Sequence, residues 1–277
     1  MDYKNKKVLL ASKHKKEQAI SDVFLNKLGC EIHVEAFDTD QFGTFTGEIP
    51  RATSPYETCV LKANKGAEVH GYDLSLASEG SFGPHPFIPF IACDHEIMVF
   101  VDRKNKWTIA EQLTTEKTNY KMIIIDRNTE LNDFIDQVGF PSHALTLQTN
   151  HSKTVIAKGI NDINLLNTAL RKGFKHEKKL LLATDMRAMV NPTRMKAIKT
   201  LAHKLSERIA TTCPKCQTPG FGFKETTGNL PCSLCASPTS FYQKEILACI
   251  QCDFKHSQPR KDGLESADPT YCKFCNP

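Results

Sequence analysis

No apolar run in the sequence approaches the roughly 20 residues needed to cross a bilayer. The first lysines are followed only by "VLLA" (8–11), far too short for the hydrophobic stretch of a secretory signal. Both absences point to an intracellular, cytoplasmic protein with no membrane partner. Apart from the cysteine pairs described below, there is no internal repeat, and no segment has low complexity. Charge of one sign is also in short supply, since the net value is a mild +5. What remains is a globular composition, 40% hydrophobic and 24% charged. Its 277 residues suffice for one large core, or for a core with a small module beside it.

The charge is unevenly placed. Between Arg171 and Arg208 there are 11 Lys or Arg against 3 Asp or Glu, a local excess of +8. Such a block suits a phosphate-rich ligand or nucleic acid, and equally a solvated helix face. Cysteine is uneven too, with eight of 11 in the last 65 residues. They form four CxxC pairs: Cys213 and Cys216, Cys232 and Cys235, Cys249 and Cys252, Cys272 and Cys275. One CxxC turn presents two thiolates, and two turns complete a tetrahedron around Zn²⁺. Fifteen residues separate Cys216 from Cys232 and nineteen separate Cys252 from Cys272, both within the usual ribbon range, whereas the middle gap is thirteen. Two sequential four-cysteine zinc sites are therefore expected in preference to interleaved ones. With four sulfurs each, these sites are closed and structural. Cys30, Cys59 and Cys93 stand alone and read as small buried hydrophobes.

Upstream, strand and helix patterns alternate, which gives an α/β class. Strands are expected at "KVLLAS", "EIHVEAF", "YDLSLASEG", "EIMVFVD", "KMIIID", "HALTLQT" and "KLLLAT". Helices are expected after Lys15, ending at Gly29, and from Pro55, with Ser54 and Glu57 as a capping box. Further helices are expected at "TELNDFIDQVG", near 162–172, and from Pro192, capped by Asn191. The domains implied are 1–210 and 211–277.

Four segments carry candidate chemistry. Lys13, His14, Lys15 and Lys16 crowd the start of the first helix, where the partial positive charge disfavours cations. Glu57 and Lys62 follow on the next helix, although capping alone explains Glu57. In "LASEGSFGPHP" a strand ends in Glu79, where open α/β sheets place ligands. Glu79 suits Mg²⁺ or general-base work, or else a structural acid bonded to loop N–H groups. Gly80 and Gly83 would admit a close approach, and His85 is either a ligand or part of a rigid loop. Finally Asp185, Arg187 and Arg194 surround a second helix start with cations. Two such starts suggest one polyanion bound between them, or two surface turns.

These segments, in this order, resemble the inosine/xanthosine triphosphate pyrophosphatase superfamily. "ASKHKKEQAI" fits its opening turn, with Ser12 at the threonine position, Lys16 at the lysine, and Lys13 where the family has asparagine. "TGEI", Glu57-Thr58, Lys62-Ala63 and Glu79-Gly80 are similar to its later motifs, and "TDMRAMVNPTRMKAI" loosely matches its closing basic turn. The resemblance covers roughly 7–85, with an echo near 185–200. The whole chain also resembles a bacterial family of unassigned function defined by "DTDQFGTFTGE", "ASEGSFGPHP", "DMRAMVNPTRM" and the CxxC pairs.

The first resemblance implies a mixed-sheet, three-layer domain like the inosine triphosphatase fold, followed by a small cysteine-rich zinc-ribbon domain. It also implies metal-dependent hydrolysis of a nucleoside triphosphate or related phosphate ester. Glu79 and Glu57 would be catalytic, with Mg²⁺ or Mn²⁺ on Glu79. Ser12, Lys13, Lys16, Lys62, Arg187 and Arg194 would bind phosphate, and Asp38, Asp40 or Glu48 would be further carboxylates. The competing expectation is a zinc-ribbon protein that binds nucleic acid without turning over a small molecule.

Overall fold

The computed structural model describes residues 3–43, 48–85 and 88–277. The chain divides into two compact units, one ending at Ser206 and the other comprising Glu207–Pro277.

The first unit opens with β1 (Lys7–Leu10), α1 (Glu17–Leu28) and β2 (Glu31–His33). Gly29 ends α1 in the left-handed region, φ 67°, and donates its N–H to Leu25 O, as its place after the last apolar residue foretells. Next come α2 (Pro55–His70), β3 (Leu74–Pro84), β4 (Ala92–Asp102) and β5 (Trp107–Thr115). The α2 start is the expected capping box, with Pro55 at its first position. These strands form a five-stranded sheet in the order β2-β1-β3-β4-β5. The β2, β1 and β3 strands run parallel, and β4 and β5 are added antiparallel.

A second sheet follows from β6 (Met122–Ile125), α3 (Asn132–Gln137), β7 (Leu145–Thr149), β8 (Val155–Ile160), α4 (Ile163–Gly173) and β9 (Leu180–Thr184). Its order is β6-β9-β7-β8 and every pairing is antiparallel. The single mixed sheet expected from the sequence is thus corrected to two sheets. The 86–180 segment, which matched no named pattern, supplies most of the second one. One face of this sheet, with Leu145, Leu147, Leu180 and Leu182, packs against Phe134 of α3 and Leu166 and Ala169 of α4. Each such fully buried leucine contributes about 1.5–3 kcal/mol relative to exposure. Then α5 (Pro192–Ala210) begins where Asn191 Oδ1 accepts from Arg194 N at 3.0 Å, the cap expected of that asparagine.

The second unit holds β10 (Gly222–Pro231), β11 (Pro238–Ala248) and β12 (Lys255–Pro259), a three-stranded antiparallel sheet with β11 at its centre. Among the described residues, no helix is long and apolar enough to cross a membrane. Cys30, Cys59 and Cys93 are buried, as expected of isolated small hydrophobes.

Candidate functional site

A pocket of about 500 Å³ in the first unit is lined by the turn after β1, by α2, by the middle of β3 and by one face of the second sheet. Lys62 sits on the buried stripe of α2 with Thr58, Cys59, Ala63 and Ala67, so helical spacing aims its long side chain into the fold. Its ammonium meets Glu79 Oε1 at 2.5 Å. Arg51 approaches from the loop before α2. It holds Glu79 Oε2 at 2.9 Å and also donates to Ser81 Oγ and Gly80 O, both at 3.1 Å. Lys16, the cation at the start of α1, is buried and donates to Ser78 O at 2.9 Å and to Ser78 Oγ at 2.8 Å. On the far wall Asp185 is buried, accepts from Gly159 N at 2.9 Å, and clamps Arg187.

Five Lys or Arg side chains line the pocket (Lys16, Arg51, Lys62, Lys158 and Arg187) against three carboxylates, Asp40, Glu79 and Asp185. Burial pushes the Glu79 carboxyl up, but Lys62, Lys16 and Arg51 outweigh it and hold the group below the usual range. Burial, together with Arg194, lowers Lys16 to about 8. Burial beside Lys16, Arg194 and Arg187 lowers His14 to about 3, so it lines the pocket as a neutral ring at pH 7. The pocket therefore carries an excess of two positive charges, and its other end is aromatic and apolar, with Phe82, Tyr120 and Met122.

The structure brings Ser12, Lys16, Lys62, Glu79 and Arg187 together around this pocket. Three other candidates lie elsewhere. Glu57 is corrected from a catalytic to a capping residue, because it is exposed and accepts from Ser54 N at 3.0 Å. Lys13 points outward and pairs with Asp38 at 2.5 Å and Asp40 at 3.4 Å, so its charge is neutralised outside the pocket. Arg194 is fully buried and pairs with Glu96 Oε1 at 2.5 Å, also donating to Met186 O, which leaves it no surface for phosphate. Of the loop carboxylates, Asp40 lines the pocket and Glu48 pairs with Lys158. The "TG" of "TGEI" lies outside the described residues. Open space surrounds Gly83, so no close approach needs a glycine there.

Three contributors were missed from the sequence: Arg51, Glu96 and Asp94. Glu96 was legible in principle, since β3 and β4 pair it directly opposite Gly80. The glycine admits the Glu96–Arg194 pair, because a Cβ there would lie 2.5 Å from Arg194 Nη2. Asp94 is buried two residues before Glu96, and its Oδ1 has no hydrogen-bond partner among the described residues. Burial and the neighbouring Glu96 push its carboxyl up to about 8.

In the second unit the cysteines form two four-sulfur groups, Cys213, Cys216, Cys249 and Cys252 in one, Cys232, Cys235, Cys272 and Cys275 in the other. Sulfur separations of 3.8 Å (Cys213–Cys252), 3.6 Å (Cys216–Cys249), 3.8 Å (Cys232–Cys275) and 3.6 Å (Cys235–Cys272) are far beyond a disulfide. They match the S···S edge of about 3.8 Å that a tetrahedron with Zn–S bonds of about 2.3 Å requires. The groups are compatible with two closed, structural zinc sites. The expected sequential connectivity is corrected to an interleaved one. The β10–β11 hairpin is the reason: Gly222 pairs with Ala248 at one end and Pro231 with Pro238 at the other. Nine steps of strand place the two ends about 30 Å apart. A CxxC pair therefore meets the pair two along in sequence, not its neighbour.

Residues 62–277 match the family model described as a domain of unknown function, DUF6671. The chain belongs to the DUF6671 family. The match takes in Lys62, Glu79, Asp185, Arg187 and all eight paired cysteines. No curated protein matches the chain. The DUF6671 description assigns no activity, so the chemistry must be argued from the pocket.

Proposed function

We propose that this DUF6671 protein binds a phosphate-bearing nucleotide in the first-unit pocket and is a metal-dependent hydrolase of a nucleoside triphosphate or related phosphate ester. The observation that carries the reading is the convergence of Lys16, Lys62, Arg51 and Arg187 on one pocket of about 500 Å³, with an aromatic end at Phe82 and Tyr120. Buried cations of this kind are strong phosphate donors, and Arg supplies two parallel N–H groups. The net charge of +2 along the lining complements a polyphosphate. The resemblance of 7–85 to the inosine/xanthosine triphosphate pyrophosphatases gives the same substrate class.

Mg²⁺ or Mn²⁺ fits as a guest that arrives with phosphate. Among the described residues the only clusters of three or more metal-ligating groups are the cysteine ones, so no carboxylate cage is prebuilt. Mg²⁺ commonly takes one or two carboxylates plus substrate phosphates. Glu79 is ionised, and Lys62 and Arg51 occupy two of its roughly four lone-pair positions, which leaves room for a cation; Asp40 is the nearest further choice in the loop. Once bound, such an ion would offset phosphate charge and acidify a water. Lys16, Lys62 and Arg187 would orient the phosphates, Glu79 would hold the attacking water, and Phe82 with Tyr120 would seat the nucleoside.

The competing ribbon reading has less in its favour. The Glu207–Pro277 unit carries 8 Lys or Arg against 7 Asp or Glu, which gives no cationic surface to speak of.

The test is phosphate and pyrophosphate release from a panel of nucleoside triphosphates, with and without Mg²⁺ or Mn²⁺, with Glu79→Gln beside the parent. Metal-dependent turnover that falls at least about 100-fold in the variant is expected. A folded, zinc-loaded sample that releases nothing would remove the hydrolase reading.

A further inference from the structure

One wall of the pocket is the second sheet, whose Thr146 and Gln148 are themselves buried there. Its strands alternate. Leu145 and Leu147 of β7 and Leu180 and Leu182 of β9 face the helices, whereas Thr146, Gln148, Leu181 and Ala183 face the pocket. On the edge strand β6, Met122 and Ile124 are left 48% and 54% exposed, which continues an apolar surface beyond the pocket itself. Residues of α3 and α4 pack on the other face.

The sheet has two different ends. At one end Thr184 leads into Asp185 and Arg187, the phosphate end of the pocket. At the other, β6 and β7 leave the sheet and β9 enters it, because Ile125 and Thr149 both pair with Leu180. Three turns meet there. Asn150 N donates to Lys179 O at 3.2 Å, His151 N donates to Glu177 Oε2 at 2.8 Å, and Arg127 Nη2 donates to Phe174 O at 3.1 Å. These turns (126–129, 150–153 and 174–179) hold Arg127, Lys153, Lys175, Lys178 and Lys179, all exposed, against Asp126 and Glu177. Both acids are engaged by turn donors. Asp126 accepts from Asn128 N and Thr129 Oγ1, and Glu177 accepts from the N–H groups of His151 and Ser152. Five exposed cations therefore outnumber two acids whose oxygens are already engaged by turn donors.

From Leu180 to Thr184 is four residue steps, about 14 Å along the strand. One phosphate group cannot touch Arg187 and Lys179 together. A nucleic-acid strand can, since it carries a phosphate at every nucleotide and a flat face on every base. We infer that the exposed β6 edge and the cationic end of the second sheet bind single-stranded nucleic acid, with bases on the Met122–Ile124 surface, the backbone held at the Lys175–Lys179 turn, and the strand's terminal nucleotide in the pocket. The last element rests on the nucleotide reading above; the first two do not. Cationic grooves beside apolar surface are where single strands are held.

The test is fluorescence anisotropy of a labelled single-stranded RNA of about 12 nucleotides with the full, zinc-loaded chain, from low to physiological salt. Five cations predict a slope of log K against log salt of about −3.5. The triple reversal Lys175→Glu, Lys178→Glu, Lys179→Glu, checked for native circular dichroism, should weaken binding at least about 10-fold. Ile124→Ser, which changes no charge, should weaken it severalfold. RNA that fails to bind at low salt, or that binds both variants as it binds the parent, would overturn the inference. So would binding to phosphatidylserine vesicles in the absence of RNA binding. Strand binding without nucleotide turnover would sustain this surface and remove the hydrolase; turnover without strand binding would do the reverse.

Discussion

A methyl group added at Gly80 would lie 2.5 Å from Arg194 Nη2 and 2.6 Å from Glu96 Oε1, so the side chain that is absent makes room for a buried ion pair. That pair has no solvent to relax into, and Gly80→Ala is expected to cost about 1–3 kcal/mol in urea unfolding. Titration gives two further outcomes. Lys16 is lowered to about 8, so the free pocket loses a positive charge as pH rises through that value. Affinity for a nucleotide should fall above about pH 8 in titrations of the parent, and this pH dependence should vanish in Lys16→Met. Asp94 has the opposite linkage to a salt-bridged acid. The native chain keeps a proton up to about 8 that the unfolded chain gives up near pH 4. Stability attributable to Asp94 is therefore lost as pH rises from about 4 to about 8, and Asp94→Asn should flatten that slope in thermal melts. The sequence marked Gly80 and Lys16 but not the carboxylates, because Asp94 and Glu96 sit in a strand that reads as apolar further along.

At the scale of elements, caps were legible and edges were not. Ser54, Pro55 and Glu57 mark the start of α2, Gly29 the end of α1 and Asn191 the start of α5, since each depends on a few local backbone groups. By contrast β5, "WTIAEQLTT", and β8, "VIAKGI", were passed over, as both are half-exposed and lack a long apolar run. The cysteines show the same limit. The four CxxC turns are local and were plain. Their pairing depends on a hairpin, which brings together residues 33 and 37 positions apart. The pairing can be counted. Cys213→Ser with Cys252→Ser removes ligands from one interleaved site, so metal analysis should fall from two zinc ions per chain to one. A sequential arrangement would lose both.

At the scale of the molecule, residues from both cationic helix starts line one pocket, but not all of those expected. Lys16 and Arg187 reach the pocket, while Lys13 is held outside by Asp38 and Arg194 is buried against Glu96. Sequence shows which segments carry charge; only tertiary packing decides which charges face the cavity and which brace it. The Glu207–Pro277 unit has a thin core, and closed zinc sites of this kind supply folding energy outright. A chelator should therefore abolish its β signal in circular dichroism while leaving the helical signal of the first unit. The claim on which the rest depends is that the pocket takes phosphate. The most direct measurement is a calorimetric titration of the zinc-loaded protein with a nucleoside triphosphate and Mg²⁺, beside Arg51→Gln. One-to-one binding, weakened about 10- to 100-fold in the variant, is the expected result. Absence of binding, or equal binding by parent and variant, would contradict it.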